Sequence, residues 1–145
     1  MTRSSAADED GSTLLLTIFS GVLALALVLV VASATSLYLE RKRLFTLADG
    51  AALAAAESWR VDDVRVEAGE LVFDLGAESV RDAASDYLGD AAHSLQGLEL
   101  VRADSADGRS ATVTLRAVWH APISSEMLPV TVPLEVTADA RSVFH

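Results

Sequence analysis

The chain has 145 residues, with 21 acidic and 11 basic side chains, a formal net charge of −10 and no cysteine. The lack of cysteine excludes disulfides and thiolate metal sites, and it leaves the redox compartment open. A chain this acidic is repelled by phosphate backbones, so nucleic-acid binding is not expected.

The N-terminal third combines a polar segment with a long apolar run. Residues 1–11 are polar, and residues 12–39 contain no charged side chain. A helix needs about 20 apolar residues to cross a bilayer core about 30 Å thick. We therefore predict a single transmembrane helix over residues 12–39, with Leu14 and Leu39 marking its ends.

The helical pattern continues beyond this span into a segment that we call the stem, residues 40–59. The spacing of its apolar residues indicates one helix from about Ser12 to about Ser58, with Gly50 as a tolerated weak point. The small residues in the stem favour close packing against other helices. The stem residues expected to pack in this way are Leu44, Ala48, Asp49, Ala51, Ala52 and Ala55.

The remaining segment, residues 60–145, is predicted to be a small acidic domain. Alternating residues predict a hairpin around Val64–Leu75, then strands near Leu98, over 112–119 and over 130–136. A helix is expected near Glu78–Leu95, with Gly97 ending it. Pro133 cannot donate to a sheet ladder, so the last strand should lie at an edge. The fold class is thus α+β, with a long N-terminal helix and a mostly antiparallel sheet.

The stretch SLYLERKRLFTLADGAALAAA, residues 36–56, follows an apolar span that is preceded by Gly11. This order of features resembles the N-terminal segment of TadE/TadG-like proteins of the bacterial Flp (Tad) pilus-assembly system. The residues that carry the resemblance are Gly11, Leu37, Tyr38, Leu39, Arg41, Arg43, Leu44, Asp49, Ala51, Ala52, Leu53, Ala54 and Ala55.

The resemblance implies a single-pass protein of the cell membrane with an extracytoplasmic C-terminal domain. It implies a role as a minor pilin, pseudopilin or assembly component, with the membrane and other pilin-like or Tad assembly proteins as partners. Processing between Gly11 and Ser12 by a prepilin peptidase is a further expectation. Acids precede Gly11, and Leu16 would stand at the fifth mature position, where pilins usually carry Glu. These departures favour a minor or uncleaved component.

Two other interpretations remain open. Arg41, Lys42 and Arg43 follow the span whereas only Arg3 precedes it, so the positive-inside rule alone predicts a cytoplasmic acidic binding or regulatory domain. A secretory signal peptide cut after Ala34 would instead release a small secreted domain.

The sequence offers little support for catalysis, metal binding or a small-molecule substrate. His93, His120 and His145 are widely spaced and lack a metal-binding motif. Asp82, Asp86 and Asp90 are interpreted as a solvated helix face. We therefore expect no enzyme activity, no cofactor and no metal.

Overall fold

The computed structural model describes residues 6–58, 64–67, 70–73, 76–122 and 129–141, with side chains for residues 12–58, 76–122 and 129–141. The elements in chain order are helix α1 (Ala6–Ala56), strands β1 (Val64–Glu67) and β2 (Glu70–Phe73), helix α2 (Ala77–Asp90), and strands β3 (Glu99–Asp104), β4 (Ser110–His120) and β5 (Thr131–Arg141). The α+β class, the long N-terminal helix and the antiparallel sheet are confirmed.

Helix α1 is continuous over 51 residues, which corresponds to a rod about 77 Å long at 1.5 Å per residue. It starts at Ala6, six residues earlier than expected, so Ala6–Gly11 are also helical. No proline interrupts the run, and apolar or small residues with good helical propensity dominate it.

Strands β3, β4 and β5 form an antiparallel sheet in that order. The central strand β4 alternates as the sequence predicts, with Val113, Leu115, Ala117 and Trp119 buried on one face. Pro133 in β5 lies opposite Val118 in β4, and β5 is an edge strand as expected. Strands β1 and β2 pair separately as a two-stranded antiparallel hairpin.

Helix α2 is shorter than the predicted Glu78–Leu95 segment. It ends at Asp90, because Ala91 adopts an extended backbone with ψ of 123° while its N–H still donates to the Tyr87 carbonyl. The chain then turns through Gly97, which has a φ of 60°. The Val118 N–H donates to the Gln96 carbonyl at 2.9 Å. This loop is held against the sheet, which explains why Leu95 is buried although it lies outside the helix.

The core lies between the C-terminal part of α1, helix α2 and one face of the sheet. Alanines on α1 face larger side chains of β4 and β5, so the helix can approach the sheet closely. The buried residues of this core are Leu44, Leu47, Ala48, Ala51, Ala52, Ala55, Ala56, Val80, Ala84, Leu95, Ala103, Ala111, Val113, Leu115, Ala117, Trp119, Ala121, Leu134, Val136 and Ala138.

Candidate functional site: the span and stem of helix α1

Residues 12–32 of α1 are not covered by any other part of the chain that the structure describes. Every side chain from residue 12 to residue 32 is exposed, and an 18-residue window of this helix has a mean hydropathy of 2.9 with no residue buried. These residues extend over about 32 Å, which is sufficient to cross a hydrocarbon core about 30 Å thick. The N-terminal helix therefore fits single-pass membrane anchoring.

Two threonine hydroxyl groups within the apolar run bond to the helix itself. Thr17 Oγ1 donates to the Thr13 carbonyl and Thr35 Oγ1 to the Val31 carbonyl, each at 2.9 Å. Because these side chains bond to the preceding turn, they need no water, and their cost in an apolar medium is small.

The domain first reaches α1 near the end of this run. Ser33 and Ser36 are half-buried, and Trp119 Nε1, at the end of β4, donates to Ser36 Oγ at 3.2 Å. Leu37 packs against the core from the next position. One end of the sheet is thereby fixed beside the last turns of the predicted span, including Leu39. The sequence shows a Trp at the end of a predicted strand, but no pattern in it indicates that Ser36 is the partner of that Trp.

The stem residues predicted to pack on other helices have a different neighbour. Five of the six are fully buried in the core of their own domain, against the sheet and α2: Leu44, Ala48, Ala51, Ala52 and Ala55. Only Asp49 is exposed. The chain itself covers the face that the apolar periodicity marks, and none of these five side chains is left exposed.

A second face of the same helix remains uncovered and was not identified from the sequence. Tyr38, Phe45 and Leu53 are 66%, 49% and 51% exposed, and Lys42 and Asp49 are exposed between them. The successive spacings of these five residues are 4, 3, 4 and 4, which places them on one side of the helix. We call this surface the outer stripe. The signal that could have revealed it is the set of larger apolar residues within an alanine-rich segment.

Gly50 occupies the contact between α1 and α2. A Cβ atom at this position would lie 2.6 Å from Tyr87 Cζ and 3.0 Å from Tyr87 Cε1, with the hydroxyl group also in contact. The ring of Tyr87 thus packs directly on the backbone of the stem, a close approach that a side chain at position 50 would obstruct.

The outer face of the sheet is polar. Arg116 in β4 bonds Glu135 in β5 at 2.9 Å and lies 3.7 Å from Glu99 in β3. The hydrogen bond and charge of Glu135 raise the pKa of Arg116. Thr112 donates to Asp139, and the hydroxyls of Thr114 and Thr137 are 2.9 Å apart. These cross-strand pairs fix the register of the sheet.

The turn between β3 and β4 is held by one carboxylate. Asp107 Oδ1 accepts from the N–H groups of Arg109 and Ser110 and from the Ser110 hydroxyl at 2.7–2.9 Å. The bond from the Ser110 hydroxyl and the two backbone bonds lower the pKa of Asp107 to about 2. Gly108 follows with a φ of 66°, as expected for an Asp-Gly turn.

The described side chains do not assemble a metal site or a catalytic set. Within residues 12–58, 76–122 and 129–141, no three His, Cys, Asp or Glu side chains form a group that could hold a metal ion. His93 lies in the loop after α2, His120 ends β4, and His145 lies outside the described residues. Asp82, Asp86 and Asp90 are exposed on α2. Gly11 and Ser12, the predicted processing position, lie within the helical backbone of α1.

Residues 11–58 match the family described as "Tad: Putative Flp pilus-assembly TadE/G-like", which covers the bare apolar span and the stem. Comparisons with curated proteins and with solved structures gave no match. The match supports a role in Tad pilus assembly, with protein partners in the pilus machinery.

Proposed function

We propose that this chain, whose α1 carries the TadE/G-like segment, is a membrane-anchored minor pilin or pseudopilin of a Tad pilus. It acts through helix packing and protein–protein contacts, without catalysis. The observation that carries the proposal is the division of α1 into a bare apolar half and a half built into an α+β domain. Such a helix can remain in the bilayer until neighbouring helices replace the lipid around it.

The outer stripe supplies the contact surface in this proposal. Phe45 and Leu53 provide apolar area on either side of Asp49, and the stripe is continuous with the apolar span through Tyr38. Asp49 has no ion pair among the described side chains, so it can pair with a basic residue of an adjacent helix. Exposed apolar residues along one line of a surface helix suit packing against another helix.

Photo-cross-linking in cells that assemble Tad pili tests this contact. A photoreactive residue at Leu53 is expected to give adducts with a pilin-like or Tad assembly protein. The matched control is the same residue at Ala106, an exposed position in the turn between β3 and β4, which should not give those adducts. The stripe assignment fails if Ala106 yields the same adducts or if Leu53 yields none.

We place the domain on the extracytoplasmic side, as pilus components require. The chain has no native cysteine, so a single Ala106→Cys substitution provides a unique label. Ala106 is preferable to the neighbouring Ser105, whose Oγ is buried and has no hydrogen-bond partner among the described residues. Labelling of intact cells by a membrane-impermeant thiol reagent is expected. Labelling only after lysis would place the domain inside and end the pilin proposal.

A second candidate function is a cytoplasmic binding or regulatory domain on a single-pass anchor. The basic residues Arg41, Lys42 and Arg43 after the span favour it, because positive charge usually marks the cytoplasmic end. The labelling experiment separates the two orientations. The mass of the labelled protein also tests processing, since cleavage after Gly11 removes the first 11 residues and cleavage after Ala34 removes the first 34, which include most of the span.

A further inference from the structure

An open groove lies beside the stem, between α1 and the loop that follows α2. Its volume is about 700 Å³, within the range of small-molecule sites. Leu39, Leu47 and Leu95 contribute apolar walls, and Lys42, Arg43 and His93 contribute nitrogen groups. The groove therefore combines an apolar surface with basic side chains.

The charge of this groove is opposite to that of the chain as a whole. None of the described side chains that line it is acidic, although the chain carries a net charge of −10. Arg43 has only a loose contact with Glu40, at 3.8 Å, and its side chain is 63% exposed. Lys42 is exposed, and no described carboxylate forms an ion pair with it. An anion near the groove thus meets Lys42 directly, and it meets Arg43 by displacing the loose contact with Glu40.

The position of the groove along α1 places it at the membrane surface. The uncharged run of residues 12–39 is about 42 Å long, close to the thickness of a bilayer with its headgroup layers. Leu39 lies at the end of this run and also lines the groove. Side chains on a helix lean toward its N-terminus, and long basic side chains reach toward headgroups. Lys42 and Arg43, one turn beyond Leu39, are therefore close enough to reach back toward the lipid phosphates.

We propose that this groove binds one anionic phospholipid, with its phosphate held by Lys42 and Arg43 and its glycerol and upper acyl region against Leu39. The occupant follows from charge complementarity and from continuity with the apolar span. The site works on either leaflet and so does not depend on the proposed function. It also gives the basic cluster a role other than setting orientation.

Native mass spectrometry of the full chain in a mild non-ionic detergent tests the proposal. The protein is titrated with phosphatidylglycerol and, separately, with phosphatidylcholine. Phosphatidylglycerol should bind at least tenfold more tightly. Lys42→Gln should weaken that binding about fivefold, the contribution of one basic side chain near an anionic surface. Arg41→Gln, which removes the same charge from a position that does not line the groove, should change it less than twofold.

A second variant distinguishes lipid binding within the groove from nonspecific electrostatic attraction between the lipid and the basic side chains. Ala92 is exposed and lines the groove, so Ala92→Phe fills the space without changing any charge and should also weaken binding about fivefold. Thermal unfolding verifies that each variant remains folded. Equal effects of Arg41→Gln and Lys42→Gln together with no effect of Ala92→Phe would overturn the proposal. So would displacement of the lipid by about 10 mM inorganic phosphate or by an acidic peptide added as a competitor.

Discussion

Replacement of Gly50 by alanine separates helix propensity from packing. Gly within a helix is less favourable than Ala by about 1 kcal/mol, so propensity alone predicts that Gly50→Ala stabilises the protein. The structure predicts the opposite, because the added Cβ would stand 2.6 Å from Tyr87 Cζ and 3.0 Å from Tyr87 Cε1. Non-bonded carbon atoms are normally about 3.5–4.0 Å apart, so the ring must move by about 1 Å.

The magnitude follows from these two opposing effects. Inserting a methyl group into a packed contact costs about 1–3 kcal/mol. After subtraction of the gain in propensity, we expect Gly50→Ala to lower the free energy of unfolding by about 1 kcal/mol. For a domain of this size, that corresponds to a fall in Tm of about 4–8 °C.

The assay is thermal unfolding of the full chain in detergent micelles, followed by circular dichroism. In a Tyr87→Ala background the ring is absent, so Gly50→Ala should there raise stability by up to about 1 kcal/mol. Gly89→Ala is the matched control, since Gly89 lies in α2 and nothing is within 4 Å of an added Cβ. Equal stabilisation of the wild-type chain and the Tyr87→Ala chain by Gly50→Ala would show that Tyr87 does not oppose a side chain at position 50.

Three further substitutions test separate parts of the structure. The pKa of Asp107 in the folded chain is about 2, below its ordinary value of 3.8. The ionised carboxylate therefore stabilises the fold above about pH 4, and this stabilisation is lost as the pH falls toward about 2. Asp107→Asn should reduce this part of the acid dependence, measured by unfolding at about pH 6 and about pH 2.5. Trp119→Phe removes the 3.2 Å bond to Ser36 and should cost about 1 kcal/mol, with Ser36→Ala adding little to it in a double-mutant cycle. Leu115→Ala empties a fully buried position in β4 and should cost about 2–5 kcal/mol in chemical unfolding; a smaller loss would indicate that the stem alanines close over the cavity.

The elements with strong periodicity were predictable from the sequence. The uncharged span together with the helical spacing of the stem predicts α1, and the alternation around Leu115 predicts β4. Each pattern extends over enough residues to distinguish a helix from a strand. The edge position of β5 followed from the missing N–H of Pro133. Helix α2 was predicted too long, because its apolar spacing continues to Leu95 although the chain leaves the helix at Ala91 to meet the sheet.

The candidate site was only partly predictable. Periodicity identifies which face of a helix is apolar, but it does not identify what covers that face. Alanines occur around much of the stem, so Ala51 and Ala55 gave no indication that the chain's own sheet lies against them. The contact between Ser36 and Trp119 joins residues 83 positions apart, and no local pattern encodes such a pair. The groove beside Lys42 likewise depends on the placement of the loop after α2.

The use of α1 as both membrane anchor and core element has a consequence for proteolytic release. A protease that cuts the chain after Ser58 separates the sheet from the alanines of the stem, and the buried faces of β4 and β5 lose their cover. A cut before Ser33 would instead leave those contacts in place. The domain can therefore be shed intact only by cleavage at or within the membrane, and quality control that removes the anchor elsewhere also destroys the folded domain.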